Sequence, residues 1–235
     1  MSDAASAPDS ERSRPLRDNG MSIAFGALLL LTLVGQAASG LAEYNDRVSL
    51  GGLPHLSMVE YLTSSDFGVD VAENWQSEYL QFFLYIVLTV YLVQRGSPES
   101  KQLDQTGRES DKDQKVGPYA SDGSPAWAKA SGWRRGLYSH SLGLVMGLFF
   151  FLSWGAQLVA GASAQNSERI QNLQAPVGML TYAVSPDFWN RTLQNWQSEL
   201  LAVGSMVALS IYLRERGSPE SKPVGEPHTS TGAEG

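Results

Sequence analysis

The side chains with chemical potential recur in pairs. Asn74-Trp75-Gln76-Ser77-Glu78 returns as Asn195-Trp196-Gln197-Ser198-Glu199, and Arg95-Gly96-Ser97-Pro98-Glu99-Ser100-Lys101 returns as Arg216-Gly217-Ser218-Pro219-Glu220-Ser221-Lys222. Each pentapeptide stands at the polar edge of an apolar run of about 15 residues, so Glu78 and Glu199 approach membrane depth. Ionisable groups there are costly, and in transporters they bind cations or pass protons. Two such acids facing each other across a pseudo-twofold axis form one candidate site. Gln36 and Gln157, set within two longer apolar runs, are candidates to line the same path. A packing role competes with this chemistry. Asn74 and Asn195 can N-cap a helix, and Trp75 and Trp196 suit the headgroup level. The glutamates then sit near the positive helix end, and the glutamines hydrogen-bond between helices. Capping alone does not explain why all five side chains, Gln76 and Gln197 included, recur in both copies, which favours a shared packing or binding role.

Other chemistry is poorly supplied. The 235 residues contain no cysteine, which removes thiol catalysis, thiolate metal sites and disulfides. His55, His140 and His228 have no metal-ligand spacing, and no G-x-S-x-G or phosphate-loop pattern occurs. No enzyme activity, metal or cofactor is expected. With 24 acidic against 17 basic side chains, nucleic acid is not an expected partner.

Four apolar blocks must position these residues. Met21–Ala42 and Leu142–Ala162 are uncharged runs; 22 residues of helix reach roughly 33 Å, enough for a bilayer core of about 30 Å. Tyr79–Val93 and Leu200–Leu213 reach that length only if their helices start near Asn74 and Asn195. Residues 19–101 align without a gap on residues 140–222 at an offset of 121, with 26 identities in 83 pairs. Gly26/Gly147, Gln36/Gln157, Gly40/Gly161 and Tyr61/Tyr182 are among them. Two spans per copy return the chain to its starting side, so the copies run parallel rather than inverted. Of the 17 basic residues, 14 lie in the tails and central linker, and only Arg47, Arg169 and Arg191 in the inter-helix loops. The positive-inside rule then places both termini in the cytoplasm. A cleaved signal peptide ending at Ala37-Ala38-Ser39 is disfavoured, because the same apolar segment recurs within the chain.

The expected class is all-α: an integral membrane protein with four transmembrane helices, arranged as two parallel helix-hairpin repeats with short outer-surface helices. Residues 1–18 read as a disordered tail and 19–101 as the first hairpin, with spans near 21–42 and 74–93. Residues 102–133 read as a flexible linker, and 134–222 as the second hairpin with spans near 140–162 and 195–213. Residues 223–235 are a second polar tail. Ser57-Met58-Val59-Glu60 reads as a capping box, and Ser64 and Ser185 as helix starts. Arg95 and Arg216 suit the cytoplasmic interface, followed by Gly96 and Gly217 in the left-handed position that ends a helix. A docking site for a cytoplasmic partner is the other reading of that heptapeptide. Gly143-x-x-x-Gly147, Ser22-x-x-x-Gly26, Gly35-x-x-x-Ser39 and Gly204-x-x-x-Ala208 mark close-packing faces.

The order N-W-Q-S-E, apolar run, R-G-S-P-E-S-K resembles a domain-of-unknown-function family of small bacterial multi-pass membrane proteins built from duplicated hairpins. The resemblance covers roughly residues 15–101 and 134–222 and implies a bacterial plasma membrane location, with no functional residue carried over. The expected function is a structural or interaction protein of the cell envelope, its partners the lipid bilayer and a second copy or another membrane protein. The alternative is a small ion, proton or solute channel or transporter using the paired Glu and Gln.

Overall fold

The computed structural model describes residues 18–232. Residues 1–17 and 233–235, which belong to the two tails expected to be disordered, lie outside the described residues. Every regular element among the described residues is helical. In order they are α1 (Gly20–Leu50), α2 (Met58–Leu62), α3 (Ser65–Leu88), a 3-10 turn (Gly117–Tyr119), α4 (Ala126–Lys129), α5 (Trp133–Ser139), α6 (Ser141–Gln171), α7 (Met179–Ala183) and α8 (Pro186–Leu209). Both bounds of α1, α2 and α3 recur 121 residues later in α6, α7 and α8. The chain forms two compact units, divided between Phe67 and Gly68.

Both α1 and α6 are 31 residues long and apolar enough to cross a membrane. Little of either apolar stretch is covered by the rest of the chain: Phe25, Leu30, Leu31 and Val34 stand mostly exposed on α1, as do Phe151 and Leu152 on α6. A core helix of a water-soluble domain buries such side chains, whereas a helix in lipid leaves them outward. Each helix outruns its apolar block by about nine residues, or roughly 13 Å. What holds these polar extensions is the same in each copy. Asn45 Nδ2 donates to Leu56 O at 3.0 Å and its Oδ1 accepts from Leu56 N at 2.8 Å. Asn166 does the same to Val177, at 2.9 and 2.7 Å. A side-chain amide bonded to both polar groups of one residue substitutes for a strand partner and fixes the returning loop against the helix.

The two serines expected to start helices do so. Ser64 Oγ accepts from Phe67 N and Ser185 Oγ from Phe188 N, each at 3.3 Å. Ser57 and Glu60 form the expected reciprocal capping box in front of α2. Asn74 and Asn195 are not caps. The helices begin nine residues before them and run on without a break, so each amide instead donates to a carbonyl one turn back, at Asp70 O and Arg191 O. The short outer helices expected after Ser64 and Ser185 are therefore the first turns of α3 and α8.

At their other ends α3 and α8 stop at Leu88 and Leu209, short of the Val93 and Leu213 expected from composition. Thr89 and Ser210 turn their hydroxyls back onto the preceding turn, bonding Tyr85 O and Val207 O. Such back-bonding competes with continuation of the helix.

Within the unit formed by residues 68–235, α6 packs against α3 in antiparallel register. Phe83 covers Gly147 at 3.1 Å from where a β-carbon would stand, and Ile86 and Val87 lie 3.8 Å from the corresponding point at Gly143. Tyr79 meets Phe149 with ring centroids 5.0 Å apart. The Gly143/Gly147 face is thus an intrachain contact, while Gly26, Gly35 and Gly204 have nothing within 4 Å of a built β-carbon. On its other side α6 packs on α8 through Phe150, Trp154, Phe188 and Trp196.

The linker and the second tail, composed like flexible segments, carry their own bonds. Lys101 pairs with Glu109 at 2.9 Å and donates to Gly107 O at 3.1 Å. Trp127 and Trp133 meet edge to face. Residues 227–232 are held by backbone carbonyl contacts to Lys222 and by bonds to Gly96 and Ser97.

Candidate functional site

The polar residues that α3, α6 and α8 bring together form a buried cluster. Gln76, Gln157 and Thr192 are fully buried and Ser77 nearly so. Trp196 Nε1 donates to Gln76 Oε1 at 2.7 Å, which joins the pentapeptide of one copy to that of the other. Gln157 Nε2 and Trp154 Nε1 both donate to Thr192 Oγ1, at 3.3 and 3.4 Å. The Trp154 and Trp196 rings lie 5.9 Å apart and close the gap between the two sets of bonds. One amide atom of each glutamine, Gln76 Nε2 and Gln157 Oε1, has no partner. A buried unpaired amide group costs about 1–3 kcal/mol, so the cluster holds one spare donor and one spare acceptor.

Next to it stands a single cation among acids. Arg191 Nη1 lies 3.1 Å from Glu73 Oε2 and 3.9 Å from Asp70 Oδ1, and its Nε lies 3.6 Å from Asp187 Oδ2. Tyr182 OH donates to Asp187 Oδ2 at 3.0 Å. Burial, with the Asp187 charge beside it, pushes the Tyr182 phenol above its ordinary value, so it stays a donor. Tyr182 is wholly buried, and its hydroxyl rests on the face of Gly161, where a β-carbon has no room. Tyr61 rests on Gly40 in the same way. That explains why both glycine–tyrosine pairs are identical in the two copies.

Residues 12–233 match the model of a family described as a domain of unknown function, DUF6766. The chain belongs to that family. No functionally curated protein and no solved structure matches it.

In this DUF6766 chain the identical pentapeptides are used unequally. Gln76 is buried and bonded, whereas Gln197 is exposed; Trp75 is 43% exposed, whereas Trp196 is half-buried and packs on Phe150 and Trp154. Glu78 is exposed and Glu199 half-buried, and neither has a cationic partner among the described residues. The Glu199 carboxylate is near enough to bear on Glu78. Gln157 bonds across to α8, while Gln36, in the other unit, is half-buried. Arg95 and Arg216 are exposed, and Gly96 and Gly217 take the left-handed conformation expected of them, with φ of +85° and +86°. Among the described residues no group of three or more histidine or acidic side chains is arranged to hold a metal.

Three features of this DUF6766 structure are not apparent from residue type alone. Asn45 and Asn166 are identical at the repeat offset, which was the available signal. Asp70 and Arg191 also occupy equivalent positions, an acid exchanged for a base, and that reversal is how the two copies come to attract each other there. Thr192 had no signal, since its counterpart is Val71 and its role exists only once α6 lies beside α8.

Proposed function

We propose that this chain is a four-span membrane protein of the cell envelope whose two parallel hairpin repeats form a scaffold for protein interaction. The equal bounds of the two helix sets at one offset support the duplicated hairpin. The clustering of basic residues supports placing the termini and linker in the cytoplasm. One observation carries the scaffold reading: the bond from Trp196 to Gln76 joins the two pentapeptides, so the most distinctive polar residues are spent in holding helices together. Gln157 is spent in the same way on Thr192.

The test is chemical crosslinking of the intact protein in native membranes, followed by affinity capture, with Gln76→Leu as the disrupted control. The reading expects a discrete complex that Gln76→Leu weakens. Recovery of the uncrosslinked chain alone, in both proteins, refutes it. A second reading, cation or proton passage, rests on the proximity of Glu78 and Glu199 without a cationic partner. Reconstituted vesicles in which the unaltered protein passes no tested cation, or in which Glu78→Gln with Glu199→Gln changes nothing, sink that reading.

A further inference from the structure

The two heptapeptides have one sequence and one backbone but different surroundings. In the first copy Gln94 N donates to Ser100 Oγ at 2.8 Å and Ser100 Oγ to Lys101 O at 2.9 Å. In the second, Glu215 N donates to Ser221 Oγ at 2.9 Å and Ser221 Oγ to Lys222 O at 3.1 Å. Glu99 N and Glu220 N donate to Ser97 Oγ and Ser218 Oγ at 3.3 and 3.2 Å. The loop is therefore a preformed module whose shape is set by its own serines and by a glycine with positive φ.

On the first loop this module is occupied. The chain's own residues 228–232 lie across it: Gly96 N donates to Thr231 Oγ1 at 2.9 Å, and Gly232 N donates to Ser97 O at 3.1 Å. The His228 carbonyl sits where a β-carbon on Gly96 would be. Gly96, Ser97 and Pro98 are all buried as a result. On the second loop Gly217 and Pro219 are exposed, Gly217 N has no hydrogen bond among the described residues, and a β-carbon built on Gly217 meets nothing within 4 Å. A cleft of about 340 Å³ opens there, lined by residues 215–218 and 221–224.

We propose that the loop Arg216–Lys222 is a docking site for an extended segment of a partner polypeptide. The segment is short and uncharged, with a hydroxyl residue followed by glycine, the chemistry of His228–Gly232. An identical loop in the same conformation already binds such a segment, through a backbone N–H to a hydroxyl and a backbone C=O to an N–H. Gly217 N and Ser218 O repeat those two groups on the second loop, with a cleft beside them; Ser218 O accepts one bond from Ser221 N at 3.2 Å and has a second lone pair to offer. The first loop's occupant cannot serve both, because residues 228–232 are already spent. This deepens the interaction reading by naming a site and a partner chemistry, but peptide binding is measured separately, and its failure leaves the helix-joining scaffold untouched.

The test uses the purified full chain in detergent and a fluorescent peptide of the sequence of residues 227–232. The expected result is saturable binding at one site per chain, with photo-crosslinks from the peptide to residues 215–224. A peptide in which the hydroxyl at the Thr231 position is removed (T231V) binds at least about tenfold more weakly, as expected for loss of about 1.4 kcal/mol. That comparison needs no change to the protein. Gly217→Val in the full chain abolishes binding while hydrogen exchange of residues 228–232 stays as in the unaltered protein. Absence of saturable binding up to millimolar peptide overturns the proposal. So do crosslinks confined to residues 94–102, which mean mere exchange with the tail, and a doubled mass with peptide excluded, which means that a second copy's tail is the occupant.

Discussion

Replacing Lys222 by methionine should free the C-terminal segment without unfolding the helices. Lys222 is 1% exposed, and its ammonium is ringed by four backbone carbonyls: Gly96 at 2.6 Å, His228 at 3.1 Å, Ser230 at 3.2 Å and Pro227 at 3.3 Å. An ammonium has three N–H groups, each worth about 1.5–3 kcal/mol when bonded from a charged donor, so the gross contribution is about 4–9 kcal/mol. Burying the charge opposes this by several kcal/mol, leaving a net of about 2–4 kcal/mol. Methionine has similar length and no donor. The carbonyls it leaves behind are best satisfied by water, and the segment reaches water simply by lifting off Gly96 and Ser97. The cost therefore appears as local opening, about 30- to 700-fold more frequent. Hydrogen–deuterium exchange of the detergent-solubilised full chain reads this directly at the Ser230 and Gly232 amides, which donate to Pro227 O and Ser97 O. Lys101→Met is the comparison. That lysine binds one carbonyl and one partly exposed carboxylate, Glu109, so its loss should cost only about 0–1 kcal/mol. Exchange of residues 226–232 within threefold of the unaltered protein in Lys222→Met refutes the account of the carbonyl ring.

Four further outcomes follow from the same geometry. Gly161→Ala drives a methyl into the Tyr182 hydroxyl and should destabilise by about 1–3 kcal/mol, whereas Gly155→Ala, on the same helix with open space around it, should stabilise by about 0.5–1 kcal/mol; thermal melts moving in the same direction refute the contrast. Asn166→Ala removes both bonds to Val177 and should cost about 1–3 kcal/mol, with proteolysis beginning between α6 and α7; cleavage elsewhere counts against it. Leu173, with φ of +55° and nearly full exposure, occupies the position that is Gly52 in the first copy, so Leu173→Gly should raise stability by about 0.5–1 kcal/mol in a denaturant titration. The backbone bond from Ser57, and then its hydroxyl, hold the Glu60 carboxyl below its ordinary value of 4.5. A depressed carboxylate stabilises fully above that value and loses its contribution as pH falls through the lower folded one, so amide exchange in α2 should accelerate only in acid below pH 4.5. An acceleration centred above that value contradicts the capping box as its cause.

The helical class was legible because apolar runs and repetition both leave linear marks. Two uncharged runs, Met21–Ala42 and Leu142–Ala162, lie within helices long and apolar enough to cross a membrane, because about 20 apolar residues in a row favour one unbroken helix of that length. Local bonding rules placed Ser57, Ser64 and Ser185 as caps and Gly96 and Gly217 as left-handed turns. They misplaced Asn74 and Asn195, because an asparagine inside a helix and one in front of it look alike until the upstream turns are seen to continue.

Sequence symmetry alone offered two equal copies, and only the tertiary structure could make them unequal. Gln76 and Gln197, Trp196 and Trp75, and the two heptapeptides are identical in type and local spacing, so no linear signal distinguishes them. Burial is decided by what lies alongside. α6 has neighbours on two sides, Trp196 bonds Gln76 while its ring packs on Trp154, and residues 228–232 lie over one loop and leave the other bare. Residue type determined which groups could hydrogen-bond. The packing of one copy against the other determined which of each pair does so, because a second identical group has no second identical neighbour.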